Sequence, residues 1–176
     1  EATRFLIAST SEMMAYGMSY ATVGEFLLGN PDYGSLCEGF HDFYSTYEMM
    51  PCGTLAVTDC SELDNMAAIM KSINDRYVFD DSLQGELQGL DGYTPVIFYD
   101  FADYVLTLCS DPILTARFRE QLERLVPYKT HTGKFYSRTK GPLPIHTFSG
   151  ITISDPSTNP MALLKGTTSW YKATHE

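Results

Sequence analysis

Four cysteines and four histidines are the residues of this chain best suited to nucleophilic chemistry. A cysteine hydrolase needs a thiolate, an imidazole close enough to take its proton, and donors for the oxyanion. His41 lies between Phe40 and Phe43 in a helical stretch, His131 in a polar turn, His146 in an extended stretch and His175 near the end. None stands beside a cysteine in a recognisable motif, although spacing along a chain leaves a folded Cys–His pair open. Serine chemistry lacks its elbow, because Thr147-Phe148 precedes Ser149-Gly150 where G-x-S-x-G needs a glycine. Gly85, Gly89 and Gly92 have the wrong spacing for a phosphate loop, and no lysine follows them.

Metal chemistry finds little more. There is no C-x-x-C, and Cys52 and Cys60 are too far apart and too poor in nearby histidine for zinc. A Cys52–Cys60 bridge would close one short segment, but spacing does not fix its geometry. Cys37 and Cys109 fall on apolar helix faces, as buried free thiols do. Asp80, Ser82, Gln84, Gly85 and Asp91 approximate a calcium loop, with Leu87 at its apolar position. Gln84 replaces an Asp or Asn, and Asp91 replaces the closing glutamate, so an acidic surface loop is the plainer reading.

The remaining candidate is the stretch Ser9 to Ser19, where Ser9, Thr10, Ser11 and Glu12 offer polar groups, Tyr16 an aromatic wall and Gly17 close backbone approach. It follows Arg4 to Ala8, a short apolar run that reads as a strand buried on both faces. Ligands gather at the carboxyl ends of strands in parallel α/β sheets. The alternative is an ordinary loop whose small residues make turns and cap the next helix.

The elements that must position this loop follow from periodicity. A short helix from Tyr20 turns Val23, Phe26 and Leu27 inward, and Asn30-Pro31 starts a helix with Leu36, Cys37, Phe40, Tyr44 and Tyr47 inward. Thr54 to Thr58 reads as a second strand; Asp59 or Ser61 then caps a helix whose stripe is Leu63, Met66, Ala67, Met70 and Ile73. After a Gly- and Asp-rich connection over 74–95, one helix runs through Ile97, Phe101, Tyr104, Val105 and Leu108. Another starts at Asp111-Pro112, with Phe118, Leu122 and Leu125 inward. Extended pieces are expected at Lys134 to Ser137 and Ile145 to Ile153, and a last helical turn at Ser169 to Lys172. Pro142, Pro144, Pro156 and Pro160 argue against a central strand in that tail. Helices on both faces of a mostly parallel sheet are the expected architecture.

Ile7-Ala8-Ser9, Glu12, Gly17-Met18 and Tyr20 together resemble the I-A-S-x-x-E-x-x-x-x-G-M-x-Y segment of clostripain-like (C11) cysteine peptidases. Phe98-Tyr99-Asp100, Val126 to Lys129, Phe148-Ser149-Gly150 and Ser169 to Thr174 resemble further features of that family, in the same order. The resemblance implies a caspase/gingipain-like three-layer α/β/α sandwich, of which residues 1–176 are the C-terminal portion of one peptidase domain with its C-terminal extension. It places the catalytic His and Cys in an upstream segment of the same protein, since neither an H-x-x-G-W-like nor a D-A-C-like context occurs here. No catalytic residue is then expected in this chain; Ser11, Glu12, Tyr16 and Gly17 become the substrate-binding set.

The same resemblance implies a peptide or protein substrate, cleavage after Arg or Lys, calcium as a cofactor of some members, and a secreted or cell-envelope bacterial setting. The position before Gly-Met, often an acid in the family, is Tyr16 here, which leaves Glu12 or Asp residues upstream to pair with a basic side chain, or else a pocket that prefers another residue or an inactive protein. A non-catalytic relative that binds a peptide or partner through this loop is the alternative that Tyr16 keeps open.

Composition agrees with a soluble, non-nucleic-acid role. The formal charge is −10, and the densest basic group, Arg117, Arg119 and Arg124, alternates with Glu120 and Glu123 as on a solvated helix face. No apolar stretch is long enough to span a bilayer, and EATRFLIAST has no secretory-signal pattern. A length of 176 residues suits one domain with a real core.

Overall fold

The structure is a computed structural model and describes residues 3–176; Glu1 and Ala2 lie outside the described residues. In chain order its elements are β1 (Phe5–Ala8), α1 (Tyr20–Val23), α2 (Tyr33–Ser45), β2 (Thr54–Asp59), α3 (Leu63–Asn74), β3 (Tyr99–Asp100) and α4 (Phe101–Leu108). There follow α5 (Pro112–Leu125), β4 (Tyr128–His131), β5 (Lys134–Ser137), β6 (Gly141–Pro144), β7 (Thr152–Ile153) and α6 (Ser169–His175). The result is a mixed α/β fold.

β2 is its spine. Successive side chains of a strand point to opposite faces, and here both faces are covered. Leu55 and Val57 join Val23, Leu36, Phe40 and Tyr44 on one side, whereas Ala56 joins Met66, Met70, Phe118 and Leu122 on the other. Leu36, Leu55 and Met66 are fully buried; each such side chain contributes on the order of 1.5–3 kcal/mol. The inner stripes expected for α2, α3 and α5 are the buried ones, apart from Leu63 and Tyr47, which are half-buried. α5 starts at Asp111-Pro112 as expected, with the Asp111 carboxylate accepting from the Ile113 and Leu114 N–H groups. α2 instead starts two residues later than Asn30-Pro31 implies. Asp32 takes the cap, accepting from Ser35 N–H at 3.0 Å and from the Ser35 hydroxyl at 2.8 Å.

The mostly parallel sheet is not what these residues build. Among the described residues every strand pair is antiparallel: β1 with β2, β2 with β4, β3 with β7 and β5 with β6. The main sheet runs β1-β2-β4, with Ala8 opposite Ala56 and Thr54 opposite His131. Burial on two faces marks a strand with layers on both sides; it favours parallel neighbours without fixing their direction. Nor is β1 buried on both faces, since Phe5 and Ile7 pack inward while Leu6 and Ala8 are exposed.

Smaller corrections have local causes. α4 begins after Asp100, whose carboxylate caps Asp103 N–H at 3.1 Å, so Ile97 lies outside it. His131 belongs to β4, a short polar strand with weak alternation, and His146 lies in a bend outside any strand. The four cysteines are free, so Cys52 and Cys60 form no bridge. Among the described residues no helix is long and apolar enough to cross a membrane.

Candidate substrate-binding loop

Residues 9–19 leave the end of β1 and are held by three other parts of the fold. The first support is Thr54, at the start of β2, whose hydroxyl lies 2.7 Å from Ser9 Oγ and 3.1 Å from Ser11 Oγ. Thr10 N–H also donates to it, at 3.2 Å. Ser9 donates in turn to the Ser11 carbonyl at 2.9 Å, which curls the start of the loop.

The second support is the end of α2. The Tyr44 hydroxyl donates to the carbonyl of Gly17, and burial, before its neighbours Tyr47 and Cys52, pushes its pKa up. Gly17 has φ +70° and closes a turn in which its N–H donates to the Met14 carbonyl at 2.8 Å. That left-handed conformation is one glycine adopts without steric cost. Tyr16, just before it, stacks on Phe43 and leans on Tyr47.

The third support is the β5–β6 hairpin. Glu12 forms a bridge with Tyr136, and its Oε2 accepts from the Arg138 N–H in the hairpin turn. The four predicted substrate-binding residues are therefore brought into one loop but given different supports: Ser11 faces Thr54, Glu12 the hairpin, and Tyr16 and Gly17 the end of α2. Glu12 is the only acid between Ser9 and Ser19, and one of its oxygens is committed to Arg138.

No thiol–imidazole hydrogen bond occurs among the described residues. Cys37 and His41 share a face of α2 and border a cavity of about 480 Å³ with Tyr128 and Lys129. Burial, and next the Glu38 charge, push the Cys37 thiol up to about 11, the opposite of what a nucleophile needs. Cys52 is raised likewise by burial. His131 is lowered by burial and then by His41; its Nδ1 accepts from Gly133 N–H at 3.0 Å.

The acidic loop does not fit calcium. Asp80 Oδ1 accepts from the Ser82 N–H and hydroxyl, and Asp91 accepts from the Tyr93, Ile97 and Phe98 N–H groups. Among the described residues no group of three or more His, Cys, Asp or Glu side chains is placed to hold a metal ion.

Thr54, Tyr44 and the Arg138 turn escape prediction as loop supports. Neither Thr54 nor the hairpin contact, 126 residues from Glu12, has a local signal in the sequence.

No family model matches the chain, and no curated protein matches it. Solved structures do. A clostripain from Bacteroides thetaiotaomicron ATCC 29148, in complex with the peptide inhibitor BTN-VLTK-AOMK, shares 62% sequence identity with a TM-score of 0.95; the match covers 98% of this chain and 77% of that one. A secreted C11 cysteine protease from Bacteroides thetaiotaomicron, iotapain, also shares 62% identity, with a TM-score of 0.96 over 98% of this chain and 49% of its own. An inactive zymogen C11 protease from Parabacteroides distasonis shares 28%, with a TM-score of 0.80 over 98% of this chain and 52% of its own. The chain thus spans about half the length of the last two. By its 62% identity to a clostripain over 77% of that protein's chain, it belongs to the clostripain-like C11 family of cysteine proteases.

Proposed function

We propose that residues 1–176 form the later part of a single caspase-like peptidase domain with its C-terminal extension. In this reading the complete protein is a cysteine endopeptidase. The sheet seen here would be extended by preceding residues into the three-layer sandwich, and those residues would carry the catalytic Cys and His. The thiolate attacks the scissile carbonyl while the histidine moves the proton from nucleophile to leaving amine. This chain contributes the loop of Ser11, Glu12, Tyr16 and Gly17, which lines the groove for the peptide.

The observation that carries this reading is the three-way bracing of that loop by Thr54, Tyr44 and the hairpin turn. A binding surface held by rigid elements loses little freedom when a ligand arrives. Cleavage after a basic residue is supported by the relative's inhibitor, whose VLTK sequence ends in lysine. Glu12, through its uncommitted oxygen, is the group proposed to meet that cation. A secreted bacterial enzyme is supported by iotapain, described as secreted and from Bacteroides.

Mass spectrometry of the full-length gene product after treatment with a lysine-directed, thiol-reactive peptide tests the reading. One adduct, on a cysteine outside residues 1–176, is the expected result. An unmodified protein with that cysteine present and reduced would favour a non-catalytic peptide binder.

A further inference from the structure

Thr54 stands at the start of β2, buried from Thr54 to Thr58, and is itself 0% exposed, yet it carries a hydroxyl. Burying such a group costs roughly 1–3 kcal/mol unless it is hydrogen-bonded. Four groups of the loop meet it: Ser9 Oγ at 2.7 Å, Thr10 N and Thr10 Oγ1 each at 3.2 Å, and Ser11 Oγ at 3.1 Å. A hydroxyl offers one proton and two lone pairs, so it can serve only three of them.

The donors can be assigned by counting protons. Ser9 spends its proton on the Ser11 carbonyl at 2.9 Å, so at Thr54 it accepts, and the Thr54 proton goes to it. Thr10 N–H takes one lone pair of Thr54 Oγ1. A single lone pair then remains for two hydroxyl protons, those of Thr10 and Ser11. One of the two protons is left over.

We propose that Thr54 is the positioning residue of the substrate loop: its buried hydroxyl fixes Ser9 to Ser11 and presents the surplus hydroxyl proton of Thr10 or Ser11 to a backbone carbonyl of the bound peptide. This inference rests on the peptidase reading of the loop. Tyr44 and Glu12 hold the later part, so loss of the Thr54 hydroxyl frees the first three residues while Gly17 and the hairpin contact stay in place.

The test uses the full-length protease as wild type, Thr54→Val and Thr54→Ser. The readouts are amide hydrogen exchange over residues 9–12, kcat and KM for a peptide cleaved after lysine, and the rate at which iodoacetamide alkylates the catalytic thiol. Thr54→Val keeps the branched shape and removes the hydroxyl. It is expected to speed exchange at residues 9–12 and to raise KM about tenfold, because misplaced positioning groups weaken productive binding. Its kcat should stay within roughly threefold, since the loss falls on binding, and alkylation should be unchanged. Thr54→Ser should restore both exchange and KM.

Wild-type exchange and KM in Thr54→Val would overturn the proposal. So would a joint fall of kcat and alkylation, which marks a general packing defect. A wild-type protein that neither cleaves the peptide nor reacts with iodoacetamide sinks the peptidase reading and this inference together. A cleaving wild type with an indifferent Thr54→Val sinks the inference alone.

Discussion

The ring of Tyr16 lies 5.2 Å from that of Phe43, with the two planes 22° apart. Tyr47 packs against both, 5.6 Å from Phe43 at 27° and 5.6 Å from Tyr16 at 44°. Tyr16 thus closes a three-ring aromatic cluster at the end of α2, with 56% of it still facing solvent. The residue that stands where the family often has an acid before Gly-Met is anchored as a wall and carries no charge to pair with a cation. Any charge recognition by this loop therefore falls to Glu12.

Tyr16→Ala should destabilise the protein by about 1 kcal/mol, the usual worth of an aromatic pair beyond its buried area. Tyr16→Phe keeps the stack, and Tyr16 donates no hydrogen bond to the described residues, so this variant should match wild type. Urea midpoints separate the two. Equal losses in both variants would mean that the hydroxyl, and not the ring, holds the loop.

Two glycines with similar backbone angles should respond differently to alanine. At Gly17, φ is +70° and an added Cβ would meet nothing within 4 Å, so Gly17→Ala costs strain alone, about 1–2 kcal/mol. At Gly150, φ is +81° and the new Cβ would sit 2.8 Å from Val126 Cγ1 and 3.1 Å from the Ala56 Cβ. Overpacking, chiefly against Val126, adds to the strain there, for a total of about 3 kcal/mol or more. Equilibrium unfolding of both variants checks the order; a Gly150→Ala protein as stable as Gly17→Ala would show that Val126 and its neighbours can shift to make room.

The local grammar of the fold is largely legible in the residues. Asp111-Pro112 announces α5, and the spacing of Leu36, Phe40 and Tyr44 marks the buried face of α2, because caps and helical stripes are set by neighbours a few positions apart. Strand direction is not legible: Arg4 to Ala8 and Thr54 to Thr58 read as strands whichever way their partners run. The loop could be singled out from its small polar residues and its position after β1. Its supports could not, because Thr54 and Arg138 reach it from 43 to 45 and 126 residues away and have no local signature.

Asp155 links stability to pH. Its side chain is 8% exposed, and Oδ2 has no hydrogen-bond partner, the nearest cation-forming atom being His175 Nε2 at 3.8 Å. Lys165, nearby, donates instead to the Ser154 carbonyl at 3.2 Å and the Ser157 carbonyl at 3.4 Å. Burial raises the Asp155 carboxyl above 3.8, against weaker opposite pulls from His175 and Lys165. The folded state thus binds this proton more tightly than the unfolded one, so stability falls as pH rises from 3.8 through the raised value. Asp155→Asn mimics the protonated acid. Its Tm should equal wild type at the acid end of that window and exceed it at neutral pH. A lower Tm for Asp155→Asn at neutral pH would mean that the Asp155–His175 pair outweighs the cost of burial. Asp100, also raised chiefly by burial, keeps a remnant of the same slope in both proteins.

The 176-residue chain on its own should self-associate. Among the described residues β1 is laddered only to β2, leaving the N–H and C=O groups of its other edge without a strand partner. Leu6 sits in that strand at 51% exposure, on the face away from Phe5 and Ile7. An open edge that also displays an apolar side chain is a template for another strand. Sedimentation velocity of the isolated chain should show dimers or larger species whose proportion rises with concentration. Leu6→Lys, which places a charge on the edge without touching the α2-facing side, should be monomeric with an unchanged far-UV spectrum. A wild-type chain that stays monomeric at every concentration sampled, and unfolds cooperatively, would show that this edge protects itself and needs no neighbouring strand.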